Sequence, residues 1–401
     1  MTDSTYCSKS WTDVNLDFET RTLRHCCKAE GHSFPETLTE QFISIDSIIQ
    51  QRREKSLNNV AHEDCNSCWK DYAKGNSAYR DWANRWTDNF IGNHKTLLGD
   101  DKFIHYIEVK TDSTCDLACI YCSHTSSSKI AQEEGVSIEA KTKEEDYLVF
   151  KSWIKNHIQR EDLHYGQLLF VFLGGEPTAS ERFYELVDFI EEAASTTDKS
   201  IRLEICTNGN SKKFLMDKII AKMDTSKLSW GIGISNESYG ETAEFIRHGL
   251  DWQRYTENFR RYIQHPKTEL IVLSPTVNIF NLKSFPEYIT WVYEQFKTYA
   301  PEKEFTWYGN YISWPDEMDI SHLPKEYIKY IEQAEQAILE YSEGTNNVYK
   351  ENFITFLDTM KQRISASYNP EYKQVAQEFL ERKQAVKKTD KLIKLMENLD
   401  L

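Results

Sequence analysis

Three closely spaced cysteines constrain this chain more than any other feature. Cys115, Cys119 and Cys122 lie within eight residues and follow a strand-like run at residues 103–109. Three thiolates at this spacing can hold three corners of a cubic iron–sulfur cluster, and the fourth iron then has no protein ligand and is open to another molecule. A zinc knuckle or a group of buried thiols is the alternative, because cysteine is often a small core residue.

From residue 103 onward, short apolar runs alternate with amphipathic segments. Their spacing predicts strands at 103–109, 168–173, 201–207, 228–235, 268–276 and 304–312, with helices such as 147–158, 181–194, 214–223 and 252–263 between them. This alternation predicts a parallel sheet with right-handed crossovers. We therefore predict an α/β fold with a partial (β/α)6 TIM-like barrel, whose chemistry lies at the carboxyl ends of the strands.

The chain of 401 residues is long enough for one large domain and a smaller one. We predict a small cysteine-rich module at residues 1–98, the barrel at 99–320 and a helical extension at 321–401. The extension carries apolar residues at helical spacing. This spacing predicts helices that pack on the barrel or on the N-terminal module, with docking of a partner as the alternative.

Charge and hydropathy argue against two classes of partner. Lys and Arg number 48 against 63 Asp and Glu, a net charge of −15, which disfavours nucleic acid. The chain has neither a basic start followed by an apolar run nor a long apolar stretch, so we predict no membrane segment and a cytoplasmic location. In that compartment, metal or cluster ligation explains nine cysteines better than disulfides do.

Five of the cysteines precede the barrel, namely Cys7, Cys26, Cys27, Cys65 and Cys68. A predicted hairpin closes at the adjacent pair 26 and 27, and the last two form a Cys-x-x-Cys turn. Four of these thiols can converge into a four-ligand site that holds either tetrahedral zinc or a fully ligated four-iron cluster. The sequence leaves open which member of the adjacent pair is the ligand.

Polar motifs follow the later barrel strands at the edge where the three cysteines lie. The run Gly174-Gly175-Glu176-Pro177 follows the second strand, and its glycines let the backbone approach a ligand closely. Cys206 lies inside the third strand, where we expect a small buried apolar group. The other candidates after strands three to six are Thr207, Asn208, Ser235, Asn236, Arg247, Asn278 and Asn310.

The cysteine spacing, with Tyr121 before the last cysteine, and the Gly-Gly-Glu-Pro run resemble the radical S-adenosylmethionine (SAM) superfamily. The resemblance implies that Cys115, Cys119 and Cys122 ligate a [4Fe–4S] cluster whose open iron binds SAM. It further implies contacts with SAM. By this resemblance Tyr121 lies near the adenine, and Gly174, Gly175 and Glu176 bind the amino group. Thr207 and Asn208 contact SAM at the end of their strand, Ser235 reaches the ribose and Arg247 binds the carboxylate. For Arg247, an ordinary helix-surface arginine is an equal alternative.

The N-terminal run Cys65-Asn-Ser-Cys68-Trp69, followed by Gly75-Asn76-Ser-Ala78-Tyr79-Arg80, resembles the auxiliary-cluster module called SPASM or twitch. In known members this module usually follows the barrel, whereas here it precedes it. The resemblance implies a second [4Fe–4S] cluster, with structural zinc as the alternative.

The resemblance implies an enzyme that cleaves SAM to a 5′-deoxyadenosyl radical and abstracts a hydrogen atom from its substrate. An electron donor such as flavodoxin or ferredoxin is implied as a partner. A peptide or protein side chain is the favoured substrate, and a sugar, nucleoside or small metabolite is the alternative. Asn236 stands where peptide-modifying relatives carry an aspartate base, and asparagine cannot accept that proton. We expect Asn236, Asn278 and Asn310 to face the substrate, and a non-catalytic metal-binding scaffold is the remaining hypothesis.

Overall fold

The computed structural model describes residues 5–45, 47–73, 79–81, 83–84, 104–137, 143–162, 167–312, 314–366 and 368–387. Its strands are β1 Asp13–Asp17, β2 Thr22–Arg24, β3 His32–Ser33, β4 Tyr106–Lys110, β5 Leu168–Leu173, β6 Ile201–Thr207, β7 Ser229–Ile234, β8 Thr268–Leu273, β9 Thr276–Val277, β10 Glu304–Trp307, β11 Asn310–Tyr311 and β12 Asn346–Asn347. The N-terminal helices are α1 Lys9–Thr12, α2 Glu40–Ile45, α3 Ser47–Leu57 and α4 Asn66–Ala73. The later helices are α5 Ser128–Glu134, α6 Glu144–Gln159, α7 Glu181–Ala194, α8 Lys213–Thr225, α9 Gly240–Ile246, α10 Trp252–Gln264, α11 Phe285–Tyr299, α12 Ile328–Tyr341, α13 Lys350–Ala366 and α14 Tyr372–Lys387.

Six parallel strands form the centre of the sheet, in the order β10-β8-β7-β6-β5-β4. Helices α6 to α11 connect them, so the predicted α/β fold with a partial six-stranded barrel is confirmed. The predicted fifth and sixth strands were too long, because each is interrupted and resumes as the short pair β9 and β11. Pro275 lies at the first interruption and has no N–H to donate to the ladder.

One face of the sheet is buried in the hydrophobic core, and the other, concave face lines the inside of the barrel. Along β6, residues 201, 203, 205 and 207 are buried against helices, whereas the alternate residues are only partly buried. The alternation follows from the two-residue period of a strand. The partly buried residues Arg202, Glu204 and Cys206 face the inside of the barrel. The polar concave face therefore lies within reach of a ligand.

The N-terminal cysteine-rich segment extends the barrel sheet at one edge. Strand β1 pairs in parallel with β4, and the β1–β2 hairpin adds antiparallel strands beyond it. The predicted boundary of this module at residue 98 lies outside the described residues.

The C-terminal helices pack against the other edge of the barrel. Trp307 of β10 stacks on Phe353 of α13 with ring centroids 4.9 Å apart, and α12 packs beside α11. Gly309 allows this approach, because a Cβ there would lie 2.3 Å from the Phe356 ring. Within the described ranges, no helix combines the length and the apolar character needed to cross a bilayer.

Candidate cofactor site and barrel cavity

The three-cysteine loop leaves the carboxyl end of β4 and is fixed by backbone hydrogen bonds. The Ala118 N–H donates to the His248 carbonyl at 2.8 Å, and the Ile120 N–H donates to the Ile246 carbonyl at 2.9 Å. The Cys115 N–H donates to the Ser128 hydroxyl at the start of α5 at 3.1 Å. The loop is therefore held from the α9 segment on one side and from α5 on the other.

The three cysteines share one partly buried environment. Burial raises the pKa of Cys115 to about 12, and it also raises the pKa values of Cys119 and Cys122. The Leu117 N–H points at the Cys115 sulfur at 3.5 Å, a donor that stabilises a thiolate. In the part of the chain that the structure describes, no three His, Cys, Asp or Glu groups are close enough to hold a metal ion.

The loop after β5 packs tightly on the loop that leads to the cysteines. A Cβ on Gly175 would lie 2.3 Å from the Thr114 carbonyl oxygen, and one on Gly174 would lie 2.7 Å from the Asp112 carbonyl oxygen. The Glu176 N–H donates to the Thr114 carbonyl at 2.6 Å. The two glycines are thus required for contact between these two loops.

Glu176 is buried and ties the loops after β5 and β6 together. Its carboxylate accepts hydrogen bonds from the Thr178 hydroxyl at 2.6 Å, the Thr207 hydroxyl at 2.9 Å and the Asn208 N–H at 2.7 Å. Burial raises the pKa of this carboxyl group, and these donors oppose the rise. The contacts of Glu176, Thr207 and Asn208 with SAM stay predictions.

Asp116, inside the cysteine loop, is a residue that the sequence analysis missed. Its carboxylate accepts a hydrogen bond from the Asn208 side chain at 2.9 Å and another from the Asn210 side chain at 3.0 Å. The Asn208 amide also lies 3.9 Å from the Cys115 sulfur. The only signal for Asp116 in the sequence is its position between two of the cysteines.

A buried network at the end of β7 connects Tyr121 to Arg247 through Glu237, which the sequence analysis also missed. The Arg247 guanidinium pairs with the Glu237 carboxylate at 2.6 Å, and the Tyr121 hydroxyl donates to the same carboxylate at 3.1 Å. Arg247 is 5% exposed, so its interpretation as a helix-surface arginine is wrong. The guanidinium also lies 5.7 Å from the centre of the Tyr121 ring.

An unpaired polar atom lies beside this network. The Asn236 side chain donates to the Ser238 carbonyl at 2.8 Å and its Oδ1 faces the Tyr255 hydroxyl, whereas the Ser238 hydroxyl is buried and has no hydrogen-bond partner among the described residues. Buried polar atoms are normally paired, and orphaned ones fit a place where a polar ligand binds. The residues around the three cysteines therefore suit a bound polar cofactor.

The inside of the barrel holds a cavity of about 1340 Å³. It reaches the predicted residues Ser235 and Asn310, and Cys206 also lines it. Cys206 is only partly buried, because its neighbour across the sheet is Gly233, which has no side chain to cover it, and burial raises the pKa of its thiol. Asn278 is fully buried, and its amide bonds to the Thr276 carbonyl and the Phe280 N–H within its own turn.

A second, small cavity lies in the N-terminal segment and is lined by Cys7, Cys26, Cys65 and Cys68. Burial raises the pKa of Cys7 to about 12, and the nearby sulfurs of Cys65 and Cys68 raise it further. Cys27 lines the barrel cavity instead. The two adjacent thiols are close enough to hydrogen-bond to each other, but only Cys26 of the pair lines the small cavity, and the choice of ligand stays a prediction.

The Cys65-x-x-Cys68 pair lies at the start of α4 and not in a free turn. Tyr79 and Arg80 line the same small cavity. Gly75, Asn76 and Ala78 of the motif lie outside the described residues.

No family model matches the chain, and no curated protein sequence matches it significantly. Among solved structures, the chain is similar to native anSMEcpe with bound AdoMet and the Kp18Cys peptide, with 17% identity, 60% of this chain and 62% of that chain covered, and a TM-score of 0.40. It is also similar to Streptococcus suis SuiB bound to the precursor peptide SuiA, with 16% identity, coverages of 83% and 70%, and a TM-score of 0.40. A third is TYW1 with a lysine-pyruvate adduct bound, with 15% identity, coverages of 59% and 71%, and a TM-score of 0.32.

The chain thus spans less than two thirds of the length of the first of these structures. Identities and TM-scores at this level establish no shared activity, substrate or partner.

Proposed function

We propose that the chain is a radical SAM enzyme whose cluster is held by Cys115, Cys119 and Cys122. The observation that carries this proposal is the packing of the cysteine loop on Gly174 and Gly175, at the carboxyl end of the first parallel barrel strand. Active sites of barrel enzymes lie at this edge of the sheet. The two sequence motifs, about sixty residues apart in the chain, meet there with no room for a Cβ between them.

Cys115, Cys119 and Cys122 would hold a [4Fe–4S] cluster that, with one electron from a donor, would cleave SAM to methionine and a 5′-deoxyadenosyl radical able to abstract a hydrogen atom from the substrate. The chain's own contribution is to hold and orient the two cofactors. Glu237 takes up one edge of the Arg247 guanidinium, and the remaining N–H groups of that side chain can still bind a carboxylate. The unpaired Ser238 hydroxyl is a further polar group for SAM or the substrate.

We assign a second metal site to Cys7, Cys26, Cys65 and Cys68. Four thiols around one small cavity support a second [4Fe–4S] cluster, with tetrahedral zinc as the alternative. Cys27, which follows Cys26 in the sequence, lines the barrel cavity. The second metal site is therefore adjacent to the wall of the proposed substrate site.

The substrate is bound in the barrel cavity, which is large enough for an amino-acid side chain or a small metabolite. A peptide or protein side chain is our first assignment, and a sugar, nucleoside or other metabolite is the second. An electron donor such as flavodoxin or ferredoxin supplies the reducing electron. Asn236 cannot serve as a base, so a base, where the reaction needs one, lies elsewhere on the cavity wall.

The test is a count of iron and zinc in protein reconstituted without oxygen, together with reductive cleavage of SAM. We expect about eight irons per chain, falling to about four in the Cys115→Ala/Cys119→Ala/Cys122→Ala variant, with loss of SAM cleavage. A result of about four irons and one zinc per chain would still support a radical SAM enzyme, but it would mean that the N-terminal site holds a structural zinc ion. Protein that takes up no iron under these conditions refutes the proposal and leaves a metal-binding scaffold.

A further inference from the structure

The middle of the barrel cavity carries two carboxylates at one level of the sheet. Glu108 of β4 is paired with Val171 of β5, and Val171 is paired with Glu204 of β6. The two glutamates therefore stand on either side of Val171, about 10 Å apart at the backbone, which is two strand spacings. Both line the cavity.

The wall beside Glu204 carries two glycines. The next residue at the same level is Gly231 of β7, and a Cβ there would lie 3.0 Å from the Glu204 carboxylate. Gly233 is the next cavity-side residue along β7, and it leaves space beside Cys206 in the same way. Barrel interiors are normally filled by branched side chains, and here the two glycines leave room on the wall for the side chains of Glu204 and Cys206.

The charges on this wall leave one carboxylate without a cation. Lys9 pairs with Asp13 at 2.8 Å, and the nearest carboxylate to Arg202 is Glu204, at 3.9 Å. Glu108 has no cation within ion-pair distance among the described residues, although the Lys9 ammonium acts on it from farther away, and it accepts hydrogen bonds from the Tyr106 hydroxyl at 3.4 Å and from the Asn15 side chain. In this region of the wall, two cations (Lys9 and Arg202) therefore lie among three carboxylates (Asp13, Glu108 and Glu204).

A buried carboxylate without a cation is costly, and a bound cation removes that cost. From this arrangement we infer that the cavity binds its substrate through a primary ammonium group held between Glu108 and Glu204. The inference rests on the proposed function, since it names the substrate class of that same cavity.

The surroundings of the two glutamates support this assignment. Burial raises the pKa of Glu108 to about 8, and the nearby sulfur of Cys27 and the carboxylate of Asp13 act in the same direction, whereas the Lys9 ammonium and a hydrogen bond from Asn15 oppose the rise. Burial also raises the pKa of Glu204, against the effect of Arg202. The Tyr106 ring lines the same wall and already lies 4.6 Å from the Lys9 ammonium. Tyrosine rings attract cations, and ionisation of the two carboxyl groups, which burial disfavours in the empty cavity, becomes favourable beside a bound cation.

The experiment measures the binding of Nα-acetyl-lysine amide to the reconstituted full chain by ligand-detected NMR. Nα-acetyl-norleucine amide is the neutral probe of similar shape. We expect the lysine probe to bind at least about tenfold more tightly than the norleucine probe, the gain expected of a charge-assisted hydrogen bond in a buried site. Equal affinities, or no detectable binding of the lysine probe, overturn the inference.

Two variants and one control locate the site. Glu108→Gln abolishes the preference for the lysine probe, and Glu204→Gln reduces it. Glu185→Gln, on the exposed face of α7, leaves the preference unchanged. A preference that survives in both Glu108→Gln and Glu204→Gln places the cation elsewhere and overturns the inference.

A longer peptide that contains the same lysine distinguishes the sources of the ammonium group. Tighter binding of the peptide than of the lysine probe supports a peptide substrate, and weaker binding supports a small amine, with the ammonium site retained in both cases. SAM cleavage without substrate is measured on the same samples. Cleavage without any lysine preference refutes the ammonium site alone, whereas a lysine preference without iron uptake or cleavage refutes the proposed function alone.

Discussion

Replacement of Glu237 by glutamine tests the buried network behind the cysteine loop. The side chains of Glu237 and Arg247 are 1% and 6% exposed, and their ion pair is 2.6 Å long. Glu237→Gln keeps the size of the side chain and removes its charge, so the Arg247 cation is left buried without a counter-ion. The Tyr121 hydroxyl and the Arg247 guanidinium donate to different oxygens of the carboxylate, so when the single amide oxygen of glutamine faces Arg247, the Tyr121 hydroxyl accepts a hydrogen bond from the amide NH2 instead.

The expected cost follows from the burial of the pair. Removing one partner of a buried ion pair typically costs about 3–5 kcal/mol, because the other charge stays buried and uncompensated. Glutamine still accepts one hydrogen bond from the guanidinium, so we expect the lower end, about 3 kcal/mol. Replacing both residues, as Glu237→Gln/Arg247→Met, removes the stranded charge and should recover most of that loss.

The assay is urea unfolding of the metal-free chain, followed by tryptophan fluorescence and circular dichroism. The change in free energy is taken from the shift of the midpoint at constant slope. Glu181→Gln is the matched control, because it breaks an ion pair to Lys218 of 2.8 Å whose two side chains are 80% and 39% exposed. That variant should lose less than about 1 kcal/mol. A loss of similar size for Glu237→Gln, or a double variant less stable than the single one, refutes this account of the network.

Three further predictions test other parts of the structure. Gly175→Ala should destabilise the protein by about 1–3 kcal/mol and lower iron uptake, since its Cβ would overlap backbone atoms, whereas Gly135→Ala, whose Cβ meets nothing within 4 Å, should cost about 1–2 kcal/mol and leave iron uptake unchanged. Cys26→Ser should lose the N-terminal metal while Cys27→Ser retains it, as measured by metal analysis, and equal losses would contradict the assignment of Cys26 as the ligand. Burial lowers the pKa of His157 to about 4, below its usual 6.5, so the folded state favours the neutral ring. The free energy of unfolding should therefore fall as the pH drops from about 6.5 to 4, by up to about 3 kcal/mol. His157→Gln should remove that part of the pH dependence in urea unfolding, and an unchanged profile would contradict it.

The sequence predicted the barrel strands well where apolar runs are long and uninterrupted. The strands at 168–173 and 201–207 have the predicted bounds, because their side chains alternate or are continuously apolar. The last two strands were predicted too long, since hydropathy does not register the break in the hydrogen-bond ladder at Pro275. Local pattern therefore located the strands, and backbone geometry decided where they end.

The polar network of the site was harder to predict, because it depends on side chains that are distant in the sequence. Glu237 is 116 residues from Tyr121 and 10 residues from Arg247 in the sequence, and it contacts both. No local sequence pattern indicates these contacts. The choice between Cys26 and Cys27 likewise depends on which way each thiol points after the hairpin. These features follow from tertiary packing, which a single sequence does not display.

The pairing of β1 with β4 has a consequence for how the protein folds. Asp13 is aligned with Tyr106, so 93 residues separate strands that are neighbours in the sheet. Bringing the two strands together costs the conformational entropy of the intervening chain before the pairing contributes any stabilising free energy. Contacts between residues that are distant in the sequence therefore slow folding. Until then, β4 presents an open edge with unpaired N–H and C=O groups, where another chain can add a strand. We therefore expect refolding yield to depend strongly on protein concentration.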